Sequence, residues 1–324
     1  MTKRDVDLSR IWLDGVMGVV TGDALGCPVQ FHSRNEIAKD PVTGMRGCGT
    51  FNLPAGTWTD DSSLTLALLD SIRENHFINL PDIMYRFALW LTKGSYTPFG
   101  ESFDIGFATG ESIYRYMANP DVTTCGGRTE RDNGNGSLMR ILPACLYAFI
   151  RQTTDGMTDE KALRLIHEVG GLTHNHMRAK ISCGLYYFCV RSILQNDGDL
   201  TARLQKGIDD GFAFYKKDLD TLTELSHYGR LSNLYDFAAL PADEIKSGGY
   251  VVDTLEAAVW SLLQTDSFAD ALLVAVNLGK DTDTVGAVCG GLAGLIYGYD
   301  DMPSDWLDEI QKKDWIEELC RDVM

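Results

Sequence analysis

Basic side chains are scarce in this sequence of 324 residues. It carries 29 Lys and Arg against 46 Asp and Glu, which gives a formal net charge of −17. An acidic surface repels the phosphate backbone of nucleic acids and the headgroups of anionic membranes. The charge balance therefore argues against both as partners. A phosphate-bearing ligand would need local cations, backbone N–H groups or bound metal.

Paired cysteine motifs and long apolar runs are also missing. None of the eight cysteines forms a C-x-x-C pair, and several, such as Cys145 and Cys289, lie within apolar runs. Scattered buried thiols are typical of a reducing compartment. The longest apolar run, 285–299, is too short to span a bilayer, and the polar first ten residues make a poor signal peptide. We therefore expect a cytoplasmic protein.

Period-two alternation, the pattern of a half-buried strand, is not sustained anywhere in the chain. Apolar residues instead recur at helical spacing in roughly a dozen segments. The first begins at Ile11 and runs towards Leu25, and the last amphipathic segment lies near 306–319. There is no clear linker, low-complexity tract or internal repeat. The sequence predicts one all-α domain over residues 1–324, with a loop-rich insertion in the weakly patterned stretch 197–250.

Four glycines near the end of the chain recur at every fourth residue: Gly286, Gly290, Gly294 and Gly298. On a helix they would form one smooth face, which predicts close packing against another helix. That helix would directly follow a cluster of carboxylates.

Two clusters of Asp and Thr precede apolar helical runs. The first is T-W-T-D-D-S at 57–62 and the second is G-K-D-T-D-T at 279–284. Carboxylate and hydroxyl oxygens are the ligands that Mg²⁺ and Mn²⁺ prefer. Asp and Thr are also common helix caps, so one cluster alone would favour capping. The two together could supply ligands for two ions: Thr59, Asp60, Asp61, Asp281, Asp283 and Thr284.

Three further motifs carry weaker signals. The small-residue loop N-G-N-G-S at 133–137 runs into a helical segment, where backbone N–H groups can face an anion. A tight turn with a capping serine is the alternative interpretation of that loop. The segment G-D-A-L-G at 22–26 permits close approach to a neighbouring element. Asp104, in F-D-I-G, is an acid in a helix-initiating turn, and a capping role is its alternative.

The order of these motifs resembles the ADP-ribosylglycohydrolase family. G-D-A-L-G, T-W-T-D-D-S, F-D-I-G, G-N-G-S-L-M-R, L-T-H and G-K-D-T-D-T-V-G follow one another between about residues 15 and 298. The resemblance implies a compact, single-domain orthogonal bundle of helices. It also implies a site for two divalent metal ions, Mg²⁺ or Mn²⁺, at the base of a cleft.

The resemblance also assigns expected roles to single residues. The six Asp and Thr residues of the two clusters match the metal-binding motifs, and Asp104 and Asp61 are the expected catalytic acids. Expected substrate-binding residues are Asp23, Gly134, Asn135, Gly136, Ser137, His174 and Tyr250. A lone histidine such as His174 is more often a satisfied structural residue than a functional one.

One position departs from the family pattern and bears on the substrate. Gln30 stands where some relatives carry a Glu close to the reacting ribose, and a glutamine cannot act as a base. The sequence resembles the arginine-directed branch, which acts on ADP-ribosylated protein or ADP-ribosyl-arginine and releases ADP-ribose. The alternatives are another linkage, such as ADP-ribosyl-serine, a small ADP-ribose metabolite, or a non-catalytic ADP-ribose binder. The intact set of metal-ligand candidates argues against the last.

Overall fold

The computed structural model describes residues 7–324, which form sixteen α-helices and no β-sheet. The all-α prediction is confirmed. The helices are α1 (Ile11–Gly26), α2 (Arg34–Ile37), α3 (Asp60–Asn75), α4 (Leu80–Lys93), α5 (Phe107–Ala118), α6 (Leu142–Asp155), α7 (Asp159–Gly171), α8 (Met177–Gln195), α9 (Leu200–Tyr215), α10 (Leu219–Leu225), α11 (Leu234–Ala238), α12 (Val251–Leu263), α13 (Phe268–Asn277), α14 (Thr282–Tyr297), α15 (Ser304–Glu309) and α16 (Lys313–Leu319). None of the helices within residues 7–324 is both long enough and apolar enough to cross a membrane.

Helices α1 and α14 form the most extensive helix pair in the core. A Cβ atom built on Gly18 would lie 2.1 Å from the carbonyl oxygen of Gly290, and one on Gly22 would lie 2.0 Å from that of Gly286. Real Cβ atoms do not approach oxygens so closely, so only glycine allows these backbones to touch. The predicted glycine face is confirmed for Gly286, Gly290 and Gly294, whereas Gly298 caps the end of α14 with φ +88°.

The stretch 197–250 is not the loop-rich insertion that its sequence predicts. It contains α9, α10 and α11, and α9 buries Leu204, Ile208 and Phe212 along one side. Gly207 and Gly211 lie on the same buried side, where α9 packs closely on α8. Glycines contribute no apolar side chain to the helical pattern and lower helix propensity. The tertiary contact with α8 therefore stabilises a helix that the local sequence signals weakly.

Two predicted helix boundaries also differ from the observed ones. The segment 306–319 divides into α15 and α16, and Lys312 between them adopts left-handed backbone with φ +56°. The helical segment that the sequence places directly after the loop at 133–137 begins later, because α6 starts at Leu142, with Pro143 in its first turn, a position that proline favours. Residues 137–140 form a turn that follows the glycine-rich loop.

Candidate active site

The N-terminal ends of α3, α5, α12 and α14 meet around one cleft of about 380 Å³. Among the predicted site residues, those that line the cleft are Asp60, Asp104, Gly134, Asn135, Gly136, His174, Asp281 and Thr284. Those behind its surface or beside it are Asp23, Thr59, Asp61, Ser137, Tyr250 and Asp283. A larger cavity of about 660 Å³ lies against α7 and α8, and none of the predicted site residues lines it.

The first Asp-Thr motif forms the first turn of α3. Thr59 is its N-cap, and its side-chain oxygen accepts from the Asp61 backbone N–H at 3.4 Å. Asp61 is buried, and its Oδ2 accepts hydrogen bonds from the hydroxyls of Thr59 at 3.2 Å and Thr284 at 3.3 Å. Its Oδ1 has no hydrogen-bond partner. The Thr284 bond joins the two motifs directly across 223 positions of sequence.

The second motif begins α14 but does not cap it with a side chain. Asp281 occupies the N-cap position and makes no side-chain cap bond. Its Oδ2 instead accepts from the Asn135 side-chain amide at 2.6 Å. Asp283 is fully buried, and neither of its oxygens has a donor. The alternative interpretation, that these residues cap helices, therefore holds for Thr59 but does not explain Asp281 or Asp283.

Burial raises the pKa of all five aspartates at the base of the cleft: Asp60, Asp61, Asp104, Asp281 and Asp283. Neighbouring carboxylates raise the pKa of four of them further. None of the ion pairs formed within residues 7–324 involves any of the five. Buried charges normally occur paired or bound to metal. Removing several protons from this cluster at neutral pH therefore requires a cation.

The donor set fits a divalent cation of the hard type. Three buried carboxylate oxygens, on Asp61 and Asp283, lack donors, and hydroxyl and carboxylate oxygens surround them. A separate group outside the cleft, Glu130, His176 and Glu224, places three possible ligand atoms within 4.8 Å of one another. Arg178 already pairs with both of those glutamates at 2.8–2.9 Å, so that group has its own counter-cation.

Asp104 lines the cleft without capping a helix. The N-cap of α5 is Gly106, and Asp104 has left-handed backbone with φ +53°. The Gln30 amide donates to its Oδ2 at 2.8 Å. The charge of Asp104 also raises the pKa of Asp283, a neighbouring carboxyl of the cluster. The carboxyl is thus held towards the aspartate cluster and the cleft.

Asp23 is buried behind α3 and does not line the cleft. Its carboxylate accepts from the backbone N–H groups of Thr59 and Ser62 at 3.0 Å and from their hydroxyls at 3.0 and 2.5 Å. Burial raises its pKa to about 6 despite these bonds. The structure therefore places Asp23 behind the cleft lining, and its contact with a substrate stays a prediction. Asp23 fixes the position of the first Asp-Thr motif.

The glycine-rich loop at 134–136 forms another wall of the cleft. The Asn135 N–H donates to the Gly249 carbonyl at 3.1 Å, which ties the loop to the segment before α12. A Cβ atom on Gly136 would lie 2.8 Å from His174 Cε1, so glycine is required there. Ser137 is fully buried next to Cys183 and does not reach the cleft. Tyr250 pairs its backbone with Gly134 and lies outside the cleft lining.

His174 enters the cleft wall as a neutral group. Burial, together with the positive charge of Arg140, lowers its pKa to about 3. The Thr173 hydroxyl lies 2.8 Å from His174 Nδ1 and also accepts from Arg140 at 2.8 Å. Because Arg140 uses the oxygen of Thr173 as an acceptor, the hydroxyl proton is available to Nδ1. This arrangement favours the tautomer with its proton on Nε2.

Sequence reasoning missed two polar residues of the cleft, Thr109 and Arg131, and the contact made by a third, Gln30. Thr109 is buried with an unpartnered hydroxyl, and nothing in its sequence context signals it. The Gln30 amide holds Asp104. Because glutamine is neither an acid nor a base, the sequence gave no reason to expect this contact. Arg131 is the only Lys or Arg among the described residues that line the cleft, and no carboxylate pairs with it. Its position directly before the glycine-rich loop was the one available signal.

Comparisons with known proteins agree with this geometry. The family model described as ADP-ribosylglycohydrolase matches residues 6–324. The chain is 32% identical over 303 residues to the ADP-ribosyl-[dinitrogen reductase] glycohydrolase of Rhodospirillum rubrum, covering 93% of this chain and 90% of the relative. It is 29% identical over 310 residues to the ADP-ribosylarginine hydrolase Tri1 of Serratia proteamaculans, covering 95% and 77%.

A solved structure shows the same fold. The structure titled "ADP-ribosylglycohydrolase-related protein complex" superposes with a TM-score of 0.76 at 28% identity and covers 98% of both chains. The family match extends over nearly the whole sequence and includes every residue of the cleft. The chain therefore belongs to the ADP-ribosylglycohydrolase family.

Proposed function

We propose that this chain hydrolyses the N-glycosidic bond of ADP-ribosylated arginine with two bound divalent ions, Mg²⁺ or Mn²⁺, and releases ADP-ribose. The observation that carries the proposal is the buried aspartate cluster at the base of the cleft, which forms no ion pair with a Lys or Arg of residues 7–324. The names of the relatives from Serratia proteamaculans and Rhodospirillum rubrum, an ADP-ribosylarginine hydrolase and an ADP-ribosyl-[dinitrogen reductase] glycohydrolase, support the substrate class.

Six side chains would hold the ions: Thr59, Asp60, Asp61, Asp281, Asp283 and Thr284. Two further side chains position ligands in this set: Asp23 bonds to Thr59, and Asn135 bonds to Asp281. Bound divalent ions would supply Lewis-acid polarisation of the ribose hydroxyls and of water.

Asp104 would accept a proton from the attacking water. Its carboxyl faces the cleft, and the bond from Gln30 keeps one of its oxygens in place. Burial raises its pKa, which makes it a better proton acceptor than an exposed aspartate once the neighbouring charges are balanced. The Gln30 amide donates a hydrogen bond and takes no proton itself.

The substrate's diphosphate and leaving group each match a feature of the cleft. Arg131 and the backbone of the glycine-rich loop would meet the diphosphate, because the remaining charged lining groups are acidic. The arginine side chain of the substrate carries a cationic guanidinium, which an acidic cleft attracts. It departs as neutral guanidine and needs no general acid, and His174 is neutral.

A turnover assay tests the proposal. Arginine-, serine- and cysteine-linked ADP-ribosyl peptides would be incubated with the protein, and release of ADP-ribose measured with chelator and after titration with Mg²⁺ or Mn²⁺. We expect hydrolysis of the arginine conjugate only, its loss in chelator and its return with metal. Full activity in excess chelator contradicts the metal requirement, and preference for another linkage contradicts the substrate.

A further inference from the structure

Apolar side chains lie exposed beside Asp104 at the mouth of the cleft. Phe107 is 84% exposed, Phe31 66% and Ile105 44%, and all three line the cleft. Phe51 lies behind them, with its ring centroid 6.4 Å from that of Phe31 and 5.3 Å from that of Phe103. We call these five residues the apolar rim. Contiguous apolar surface of this kind marks interaction sites in soluble proteins.

The backbone of one rim residue, Phe31, is strained, and the ring of this residue lies in solvent. Phe31 has φ +69°, a left-handed conformation that is a genuine outlier for a bulky residue. Its N–H donates to the Lys280 carbonyl at 2.6 Å, which fixes this conformation next to the second metal-ligand motif. Neither burial nor helix formation explains a phenylalanine here. Strain of this sort clusters at functional sites, where surrounding contacts maintain it.

The rim adjoins the residues that would act on the scissile bond. Phe31 follows Gln30, whose amide holds Asp104, and Ile105 follows Asp104. A group released beside Asp104 therefore lies next to the rim. If the proposed function holds, on which this inference rests, that group is the modified arginine, and the polypeptide attached to it extends over the rim.

We propose that the apolar rim binds apolar side chains of the polypeptide next to the ADP-ribosylated arginine, so that the chain prefers modified protein over free ADP-ribosyl-arginine. The cleft would select the ADP-ribose, and the rim would select the sequence around the arginine. The occupant follows from continuity, because Phe31, Ile105 and Phe107 of the rim line the same cleft that would take the nucleotide end of the substrate.

Two matched peptides test the proposal. Each carries one ADP-ribosylated arginine, flanked in one peptide by Leu and Phe and in the other by Gly and Ser, and free ADP-ribosyl-arginine is the third substrate. We expect kcat/KM of the parent to be at least about tenfold higher for the apolar peptide than for the polar one, since burying a Leu or Phe side chain is worth about that factor or more. Phe31→Asn with Phe107→Ser should reduce this ratio to within about twofold.

The substitutions are chosen so that folding does not decide the result. Asn tolerates the left-handed backbone at position 31 better than Phe does, and Phe107→Ser alone is the second variant. Phe77→Ser removes a 52% exposed phenylalanine that does not line the cleft, and it should keep the parental ratio.

The outcomes separate this inference from the proposed function. If the rim variants keep the parental preference, or if they lose as much on free ADP-ribosyl-arginine as on the apolar peptide, the rim does not bind polypeptide. If the parent hydrolyses none of the three substrates, the proposed function is wrong. In that case the affinities of both peptides, measured by fluorescence anisotropy in excess chelator, test the role of the rim independently of hydrolysis. Equal affinities would show that the rim does not bind apolar flanking side chains.

Discussion

Asp104 is the residue whose substitution separates proton transfer from binding. We expect Asp104→Asn to hydrolyse ADP-ribosyl-arginine roughly 10²- to 10⁴-fold more slowly, which is the usual contribution of a general base. Asn tolerates the left-handed backbone at this position and can still hydrogen-bond to Gln30, so ADP-ribose affinity should remain near that of the parent. The measurements are the rate at saturating substrate and the affinity for product. A fall in rate of less than about threefold would make Asp104 a structural residue.

Asp61 and Asp283 can be tested without any substrate. In Asp61→Ala or Asp283→Ala we expect a metal titration to show weakened or missing ion binding. The metal-free variants should melt no lower than the metal-free parent, because each substitution removes a buried carboxylate with oxygens that lack donors. Asp159→Ala is the control, since Asp159 pairs with Arg191 away from the cleft. Normal binding of both ions by either cleft variant would refute that residue as a ligand.

Arg131 offers a test of how an acidic protein holds a diphosphate. We expect Arg131→Ala to weaken ADP-ribose binding about tenfold or more, the usual effect of losing a charged hydrogen bond. Binding of adenosine, which has no phosphate, should change little. Arg128→Ala is the matched control, because Arg128 donates to the Thr123 carbonyl and does not line the cleft. Calorimetric titration of both ligands gives the answer, and equal losses for adenosine and ADP-ribose would exclude a phosphate contact.

At the level of helices, the contact between α1 and α14 depends on glycine. We expect Gly18→Ala to lower the free energy of unfolding by about 3 kcal/mol or more, since the new methyl group would meet the Gly290 carbonyl and force the helices apart. Gly229→Ala is the control, because a Cβ there meets nothing within 4 Å and φ is not positive. Urea unfolding of the two variants measures the difference, and equal stabilities would show that the contact can relax.

Sequence patterns predicted the helices in which apolar residues recur regularly at helical spacing. They failed where close packing of glycines takes the place of apolar side chains. Helix α1 begins at Ile11 as expected, whereas α9 went unpredicted because Gly207 and Gly211 occupy its buried side. The same limit applies to the site. The two Asp-Thr motifs at the cleft were recognisable because each is contiguous, but the burial of Asp23 and Ser137 behind the cleft depends on contacts between distant segments. The role of Gln30 towards Asp104 arises only from a contact across 74 positions.

For the whole molecule, the buried aspartates predict how metal and pH act together on stability. Burial raises the pKa of Asp61 and Asp283 and raises that of Asp23 to about 6, so the metal-free folded state holds protons that the unfolded chain has released. Stability without metal should therefore fall as pH rises from about 4 through 6 and beyond. Metal ions compete with these protons and bind more tightly at higher pH.

The expected result is a metal-induced rise in Tm that grows between about pH 5 and pH 8. Thermal melts with chelator and with excess Mg²⁺ or Mn²⁺ at each pH measure it. Comparing melts with and without metal at one pH cancels the contribution of groups outside the cleft, such as His167, whose pKa burial lowers to about 3. A metal effect that does not vary with pH would mean that these carboxyls are not the ligands.

Pairing of α1 with α14 also sets a time course for synthesis on the ribosome. The Thr282 hydroxyl bonds to the Gly26 carbonyl across 256 positions, so α1 leaves the ribosome long before its partner exists. At roughly 5–20 residues per second, the glycine face of α1 waits about 13 to 50 s for α14. The two Asp-Thr motifs at the starts of α3 and α14 meet only then. A nascent chain can thus form its earlier helices during much of its synthesis, but it gains the proposed ion-binding cluster, and the proposed hydrolytic activity, only after α14 has emerged.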